Sequence, residues 1–114
     1  PGLPSMGKDY EIARRQMNGL YSGIFSFVLK EGTHGLSAFD AAKKLMDNLK
    51  IPAIAVSLGD PDTLIQHPAS MTHVKVPKQV REQVGITDGM LRFSVGLEDV
   101  EDLKADFAQA FSKL

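Results

Sequence analysis

The run Gly89-Met90-Leu91-Arg92-Phe93-Ser94-Val95-Gly96 decides the fold. Its side chains alternate in character at the period of a strand, and a glycine stands on either side. Immediately after it, Glu98 and Asp99 open a helix in which Val100, Leu103, Phe107, Ala110, Phe111 and Leu114 form one apolar stripe. The acidic residues at its start suit the positive end of the helix dipole. A helix with one buried stripe, following directly on a strand, needs a sheet to cover, so the chain reads as α/β.

Working back towards the N-terminus, the same pattern recurs. Pro77 suits the first turn of a short helix through Val84. Thr63 to Gln66 is a weaker strand signal, and Ile51 to Val56 is a short apolar run that reads as a buried strand. Ser37 can cap a helix to about Leu49, with Ala38, Ala41, Ala42, Leu45, Met46 and Leu49 on its apolar face and Lys43, Lys44, Asp47 and Asn48 towards water. Gly23 to Lys30 is aromatic and β-branched over strand length, and Asp9 to Met17 has helical composition with Asp9 as its N-cap. Pro1 to Gly7 reads as an irregular entry segment. The expectation is a small α/β sandwich of about four strands with helices on one face. Periodicity leaves open whether the strands run parallel or antiparallel.

Composition narrows the function classes. The chain has 114 residues, 43% of them hydrophobic and 24% charged, which suits one domain with its own core. Thirteen basic and 14 acidic residues leave a net charge of -1 and no general attraction to nucleic acid or anionic membrane. Without cysteine there is no disulfide, thiolate nucleophile or thiolate metal site. No apolar run approaches the roughly 18 residues of a membrane span, and no signal-peptide pattern is present, so a cytoplasmic setting is the expectation. The opening Pro1-Gly2-Leu3-Pro4, in place of a Met, suggests a fragment boundary.

Three constellations could carry chemistry. Arg92 stands in an apolar strand, and arginine is costly to bury without a partner. It is either a solvated residue on a half-exposed strand or a planar fork for a carboxylate, a task it performs better than lysine. Val56-Ser57-Leu58-Gly59-Asp60-Pro61-Asp62 ends a strand in a turn that is either structural or ligand-contacting. Ser57 has neither a nucleophile elbow nor an evident base. His67 and His73, with His34 elsewhere, are too few and too scattered for zinc, and read as polar loop or interface residues. No dinucleotide fingerprint, P-loop or zinc-protease motif occurs, and no pair of carboxylates is placed for acid-base work.

Taken together, Val56-Ser57-Leu58-Gly59, the run Thr63-Leu64-Ile65-Gln66-His67-Pro68-Ala69-Ser70-Met71-Thr72-His73, and Gly85 to Asp99 resemble the C-terminal signature of the pyridoxal-phosphate (PLP) dependent cysteine/methionine-metabolism enzymes. Pro1-Gly2-Leu3, Arg15-Gln16-Met17 and Ser26-Phe27 match as well, so the resemblance covers essentially the whole chain, and Gln66 to His73 looks most like methionine gamma-lyases. The resemblance implies the C-terminal domain of a fold-type I PLP enzyme, with a mostly antiparallel sheet. It implies that Arg92 holds the α-carboxylate of an amino-acid substrate, that Ser57 adds hydrogen bonds beside it, and that Val56, Leu58 and Thr72 line the site. Valine at position 56, where a glutamate would favour cystathionine gamma-lyase, leans towards methionine gamma-lyase or a sulfhydrylase.

The same resemblance places the Schiff-base lysine, the aspartate facing the pyridine nitrogen and the phosphate-binding groups in a larger preceding domain. None of the nine lysines (Lys8, Lys30, Lys43, Lys44, Lys50, Lys75, Lys78, Lys104, Lys113) matches the catalytic motif. The implied cofactor is therefore PLP in the full-length enzyme and none in the isolated chain, which is expected to be inactive. The implied partners are a sulfur-containing amino acid, the preceding domain, and copies of the full enzyme in a homotetramer. A related sulfhydrylase or cystathionine enzyme, or a stand-alone amino-acid-binding module, remains the alternative.

Overall fold

The computed structural model describes residues 2–114; Pro1, part of the expected entry segment, lies outside them. In chain order the elements are α1 (Lys8–Gln16), β1 (Ile24–Val28), α2 (Ala38–Asn48), β2 (Ala53–Ile54), β3 (Leu64–Gln66), α3 (Lys78–Gln83), β4 (Met90–Ser94) and α4 (Val100–Phe111). Short 3-10 turns sit at Pro4–Met6 and Thr33–Gly35. The strands form one mixed sheet in the order β1-β4-β3-β2. Strand β4 runs antiparallel to both neighbours, β1 and β3, while β2 is parallel to β3. No helix among the described residues is long and apolar enough to cross a membrane.

Alternation along β4 divides the molecule. Leu91 and Phe93 point to one face and join Ile65 of β3 beneath α2 and α4. There they meet Ala41, Ala42, Leu45 and Met46 of α2 and Leu103 and Ala110 of α4. Leu45, Ile65 and Leu91 are fully buried. Phe107 packs edge-on against Phe93, with ring centroids 5.1 Å apart. Arg92 and Ser94 therefore face the other way, away from these helices.

The expected elements are present, with altered limits. Helix α2 is capped by Ser37, whose hydroxyl accepts from the Asp40 backbone N–H. Helix α1 instead begins at Lys8 with Gly7 as its cap, at φ 58°, so Asp9 falls in the first turn. Pro77 is the cap of α3 rather than its first residue. Strand β2 is shorter than the apolar run around it, because Pro52 has no N–H for a ladder and the Val56 carbonyl is used elsewhere. Strand β3, the weakest in the sequence, is buried at every residue, which is why it shows no alternation. On α4, Val100 and Phe111 prove exposed, at the margins of the stripe.

Two acids of the last segment tie α4 to the sheet. Glu98 accepts from the Thr63 backbone N–H and from its hydroxyl, and that hydroxyl in turn accepts from Gly96 N–H at 2.8 Å. These bonds from Thr63, its hydroxyl first, hold Glu98 below the usual carboxylate pKa. Asp106 is buried on α4 and accepts from Ile51 N–H at 2.8 Å and Lys50 N–H at 2.9 Å. Burial alone would raise its pKa, but the two backbone donors and Gln109 outweigh it and the net shift is downward.

His67, expected as a polar loop or interface residue, does lie in the loop after β3, but it is buried within the chain. It is fully buried, edge-on to Phe39, with Nε2 2.6 Å from the Asp88 carbonyl and Nδ1 2.9 Å from Ser70 Oγ. A carbonyl can only accept, so Nε2 carries the proton and Nδ1 accepts from the serine hydroxyl. Burial is the main cause that pushes its pKa below the ordinary 6.5.

Two predictions follow from this packing. A Cβ on Gly96 would collide with the Pro61 carbonyl oxygen and the Thr63 nitrogen, both backbone atoms. Gly96→Ala should therefore lower stability by about 1–3 kcal/mol in chemical denaturation, because backbone cannot step aside as a side-chain tip can. For His67, the unfolded chain takes up a proton below pH 6.5 that the folded chain refuses until lower pH. Stability is thus expected to fall as pH drops through 6.5 and below, and a His67→Gln variant should show a flatter slope in that window, measured as Tm against pH.

Candidate carboxylate-binding site

On the face away from α2 and α4, Ser26 of β1, Arg92 of β4 and Gln66 of β3 stand opposite one another in a single row. The Arg92 side chain extends beyond that row. Its Nη2 donates to the carbonyl of Val56 at 2.8 Å and to that of Ser57 at 2.7 Å. Those residues follow β2, two strands away from β4, so the guanidinium group lies across β3. Two residues further along β4, Ser94 is buried and its hydroxyl accepts from Gly59 N–H at 3.1 Å. Arg92 and Ser94 together fasten the turn from Val56 to Gly59, and Gly59 itself needs its φ of 70° to make it.

A second arginine in the chain shows what a structural one looks like. Arg81 is buried, its guanidinium group paired with the Asp88 carboxylate and bonded to the Ile86 carbonyl at 3.1 Å. Lys78 also pairs with Asp88, and these two cations, Lys78 first, hold the Asp88 pKa down. Arg92 has nothing comparable. Among the described residues no carboxylate lies within ion-pair distance of it; it donates only to neutral carbonyls, and its buried Nε has no partner. A half-buried cation without a counter-charge among the described residues is a candidate site for an anion, a carboxylate among them.

The remaining sequence-derived positions fall unevenly around it. Val56 and Ser57 are brought to Arg92 through their carbonyl oxygens, and their side chains are exposed, as is that of Leu58. Thr72 is also exposed, and its hydroxyl is 2.9 Å from His73 Nδ1 and not bonded to Arg92. Two residues of the site escaped the sequence reading. Gln66 and Ser94 look unremarkable in a strand, and only the pairing register places them beside Arg92 and beneath the turn.

All nine lysines are exposed, and none is hydrogen-bonded to Arg92 or to the Val56–Gly59 turn among the described residues. No group of three or more metal-ligating side chains occurs there either. A groove of about 390 Å³ lies on the helix side, against Phe25, Phe27, Phe93 and Phe107. Its one charged liner, Lys104, is engaged by Glu101 at 2.8 Å, so the groove offers hydrocarbon and no free cation.

Fold and site thus define a small mixed-sheet α/β unit in which the half-buried Arg92 has no carboxylate partner among the described residues. The chain belongs to the Cys/Met metabolism PLP-dependent enzyme family, whose model matches residues 1–112. It is 52% identical over 114 residues to an L-methionine gamma-lyase of Fusobacterium nucleatum subsp. nucleatum, and 42% identical over 113 residues to a cystathionine gamma-lyase of Dictyostelium discoideum. These alignments take in 100% and 99% of the chain and 27% of each relative, so the chain spans about a quarter of the length of the relatives it matches. Among solved structures, a cystathionine gamma-lyase from Lactobacillus plantarum complexed with L-serine superposes with a TM-score of 0.81 at 38% identity. That match covers 98% of this chain and 27% of the other. An O-acetylhomoserine (thiol)-lyase from Campylobacter jejuni, described as putative, gives 0.78 at 31% identity, covering 96% and 25%.

The fastening of the turn is open to test. Ser94→Ala removes the acceptor of Gly59 N–H, which should cost roughly 1 kcal/mol of stability and speed hydrogen exchange at the Gly59 amide. Unchanged exchange there would mean that Ser94 does not hold the turn.

Proposed function

We propose that this chain is the C-terminal substrate-binding domain of a longer PLP-dependent lyase acting on sulfur amino acids, with methionine gamma-lyase as the activity. The observation that carries the proposal is Arg92, a guanidinium group with no carboxylate partner among the described residues, held across the sheet by the Val56 and Ser57 carbonyls. The match to methionine gamma-lyases over the whole chain, at 46–52% identity, supports the choice of activity, as does valine at position 56. The reaction converts methionine and water to methanethiol, 2-oxobutanoate and ammonia.

PLP bound by the preceding domain supplies the electron sink for bond breaking next to the substrate's α-carbon. What this chain contributes is geometry. Arg92 receives the α-carboxylate, chiefly through the nitrogen that the turn leaves free, while Ser57 offers its exposed hydroxyl beside it. Fixing the carboxylate fixes the torsion about the bond to Cα, and so decides which bond stands perpendicular to the cofactor ring. Val56, Leu58 and Thr72 belong to the wall of the same site. With no lysine matching the catalytic motif, the isolated chain is proposed to form no Schiff base with the cofactor and to turn over no substrate. The full-length protein works in the cytoplasm as a homotetramer.

A sulfhydrylase or a cystathionine lyase or synthase of the same family is the second reading, favoured by the structural likeness to the Campylobacter jejuni and Lactobacillus plantarum enzymes. A stand-alone amino-acid-binding module is the third, and a reading frame that starts just before Pro1 would favour it. Assaying the full-length protein on methionine, on cystathionine, and on O-acetylhomoserine with sulfide separates the enzymes, with methionine expected to give the highest kcat/KM. In the same protein, Arg92→Ala should cost about 2–5 kcal/mol in kcat/KM while leaving the cofactor absorbance in place. Unchanged kinetics in that variant would remove the clamp from the proposal.

A further inference from the structure

The Arg92 site contains two unmet hydrogen-bonding atoms. Arg92 Nε is buried without an acceptor, and Gln66 Oε1 is buried without a donor. They belong to directly opposed residues of the antiparallel pair β3–β4, whose side chains share one face. The Arg92 side chain also crosses β3 to reach the Val56 and Ser57 carbonyls, which carries its guanidinium group over the strand that bears Gln66. Gln66 is 4% exposed, so bulk water does not readily replace the missing partner. Buried donors and acceptors left unpaired are rare because each keeps an uncompensated desolvation cost. Here an unpaired donor and an unpaired acceptor stand on directly opposed residues of one face, and they complement one another.

We infer that Gln66 is a positioning residue for Arg92: its Oε1 accepts from Nε–H and fixes the plane of the guanidinium group that receives a ligand carboxylate. The inference rests on the carboxylate-site reading above and deepens it. With Nη2 held by the turn and Nε held by Gln66, rotation of the fork is blocked at two points, and Nη1 is left to face the ligand. A neutral amide suits this task chemically. It offers an acceptor oxygen without a negative charge, so the charge of Arg92 stays available to the ligand, whereas an acidic side chain would bring its own counter-ion.

The test uses the full-length protein and two probes, L-alanine and L-alaninamide, which differ at the carboxylate. Calorimetric Kd values should show that the wild type prefers alanine. In Gln66→Met and Gln66→Leu that preference should shrink about tenfold, with alaninamide binding unchanged to within about twofold. A merely structural role for Gln66 would weaken both probes alike, and a variant that keeps the full preference overturns the inference. A wild type without any preference overturns the carboxylate reading itself, which separates the two failures. In ¹⁵N-arginine-labelled wild type, with the Arg92 Nε–H signal assigned by its loss in Arg92→Lys, slow exchange with solvent is expected. Free exchange of that proton overturns the Gln66 contact even where the variants do not fold.

Discussion

Strand β4 has to serve two faces at once, and the alternation of its side chains is the constraint on which the rest depends. Leu91 and Phe93 complete the core beneath α2 and α4, while Arg92 and Ser94, between and beside them, hold the turn after β2. Neither set can shift without the other, because a slip of one residue would carry a guanidinium group into the core and Phe93 out of it. The glycines at both ends reinforce the register. Gly89 and Gly96 lie so close to the backbone at Leu29 and at Pro61–Thr63 that no side chain fits.

The site inherits its rigidity from that arrangement. Arg92 leaves the sheet from a central strand, crosses β3 and ends on two backbone carbonyls, so its position is set by sheet pairing and by the turn together. Its charge, by contrast, is left unanswered among the described residues. Arg81, paired with Asp88 and mostly buried, shows that this fold satisfies an arginine fully where the residue serves structure. The difference between the two arginines is what singles out Arg92 as the candidate binding group, and membership of a PLP-dependent enzyme family is consistent with the amino-acid carboxylate proposed for it.

The acids play the opposite part. Glu98, Asp106 and Asp88 all have lowered pKa values, and each is occupied with donors of the chain itself. From sequence, Glu98 counted only as part of an acidic helix start, and Asp106 carried no signal. Their partners, the Thr63 and Ile51 backbone groups among them, lie 35 and 55 residues away, a separation that no local pattern encodes. His67 escaped for the same reason, since its burial depends on Phe39 and on the Asp88 carbonyl across 21 residues.

The sequence by itself determined the element order, the apolar stripes of α2 and α4, and the oddity of an arginine in an apolar strand. Spacing of 2 and 3.6 residues is a local property, and so are the Ser37 cap and the glycine limits of β4. Motif resemblance added the family and pointed to Arg92 and Ser57. Only the tertiary structure decided that β4 is a central strand, that Arg92 reaches two strands away, and that Gln66 and Ser94 stand on its face. Strand pairing sets these relations, and pairing depends on residues distant in the chain, where periodicity is silent.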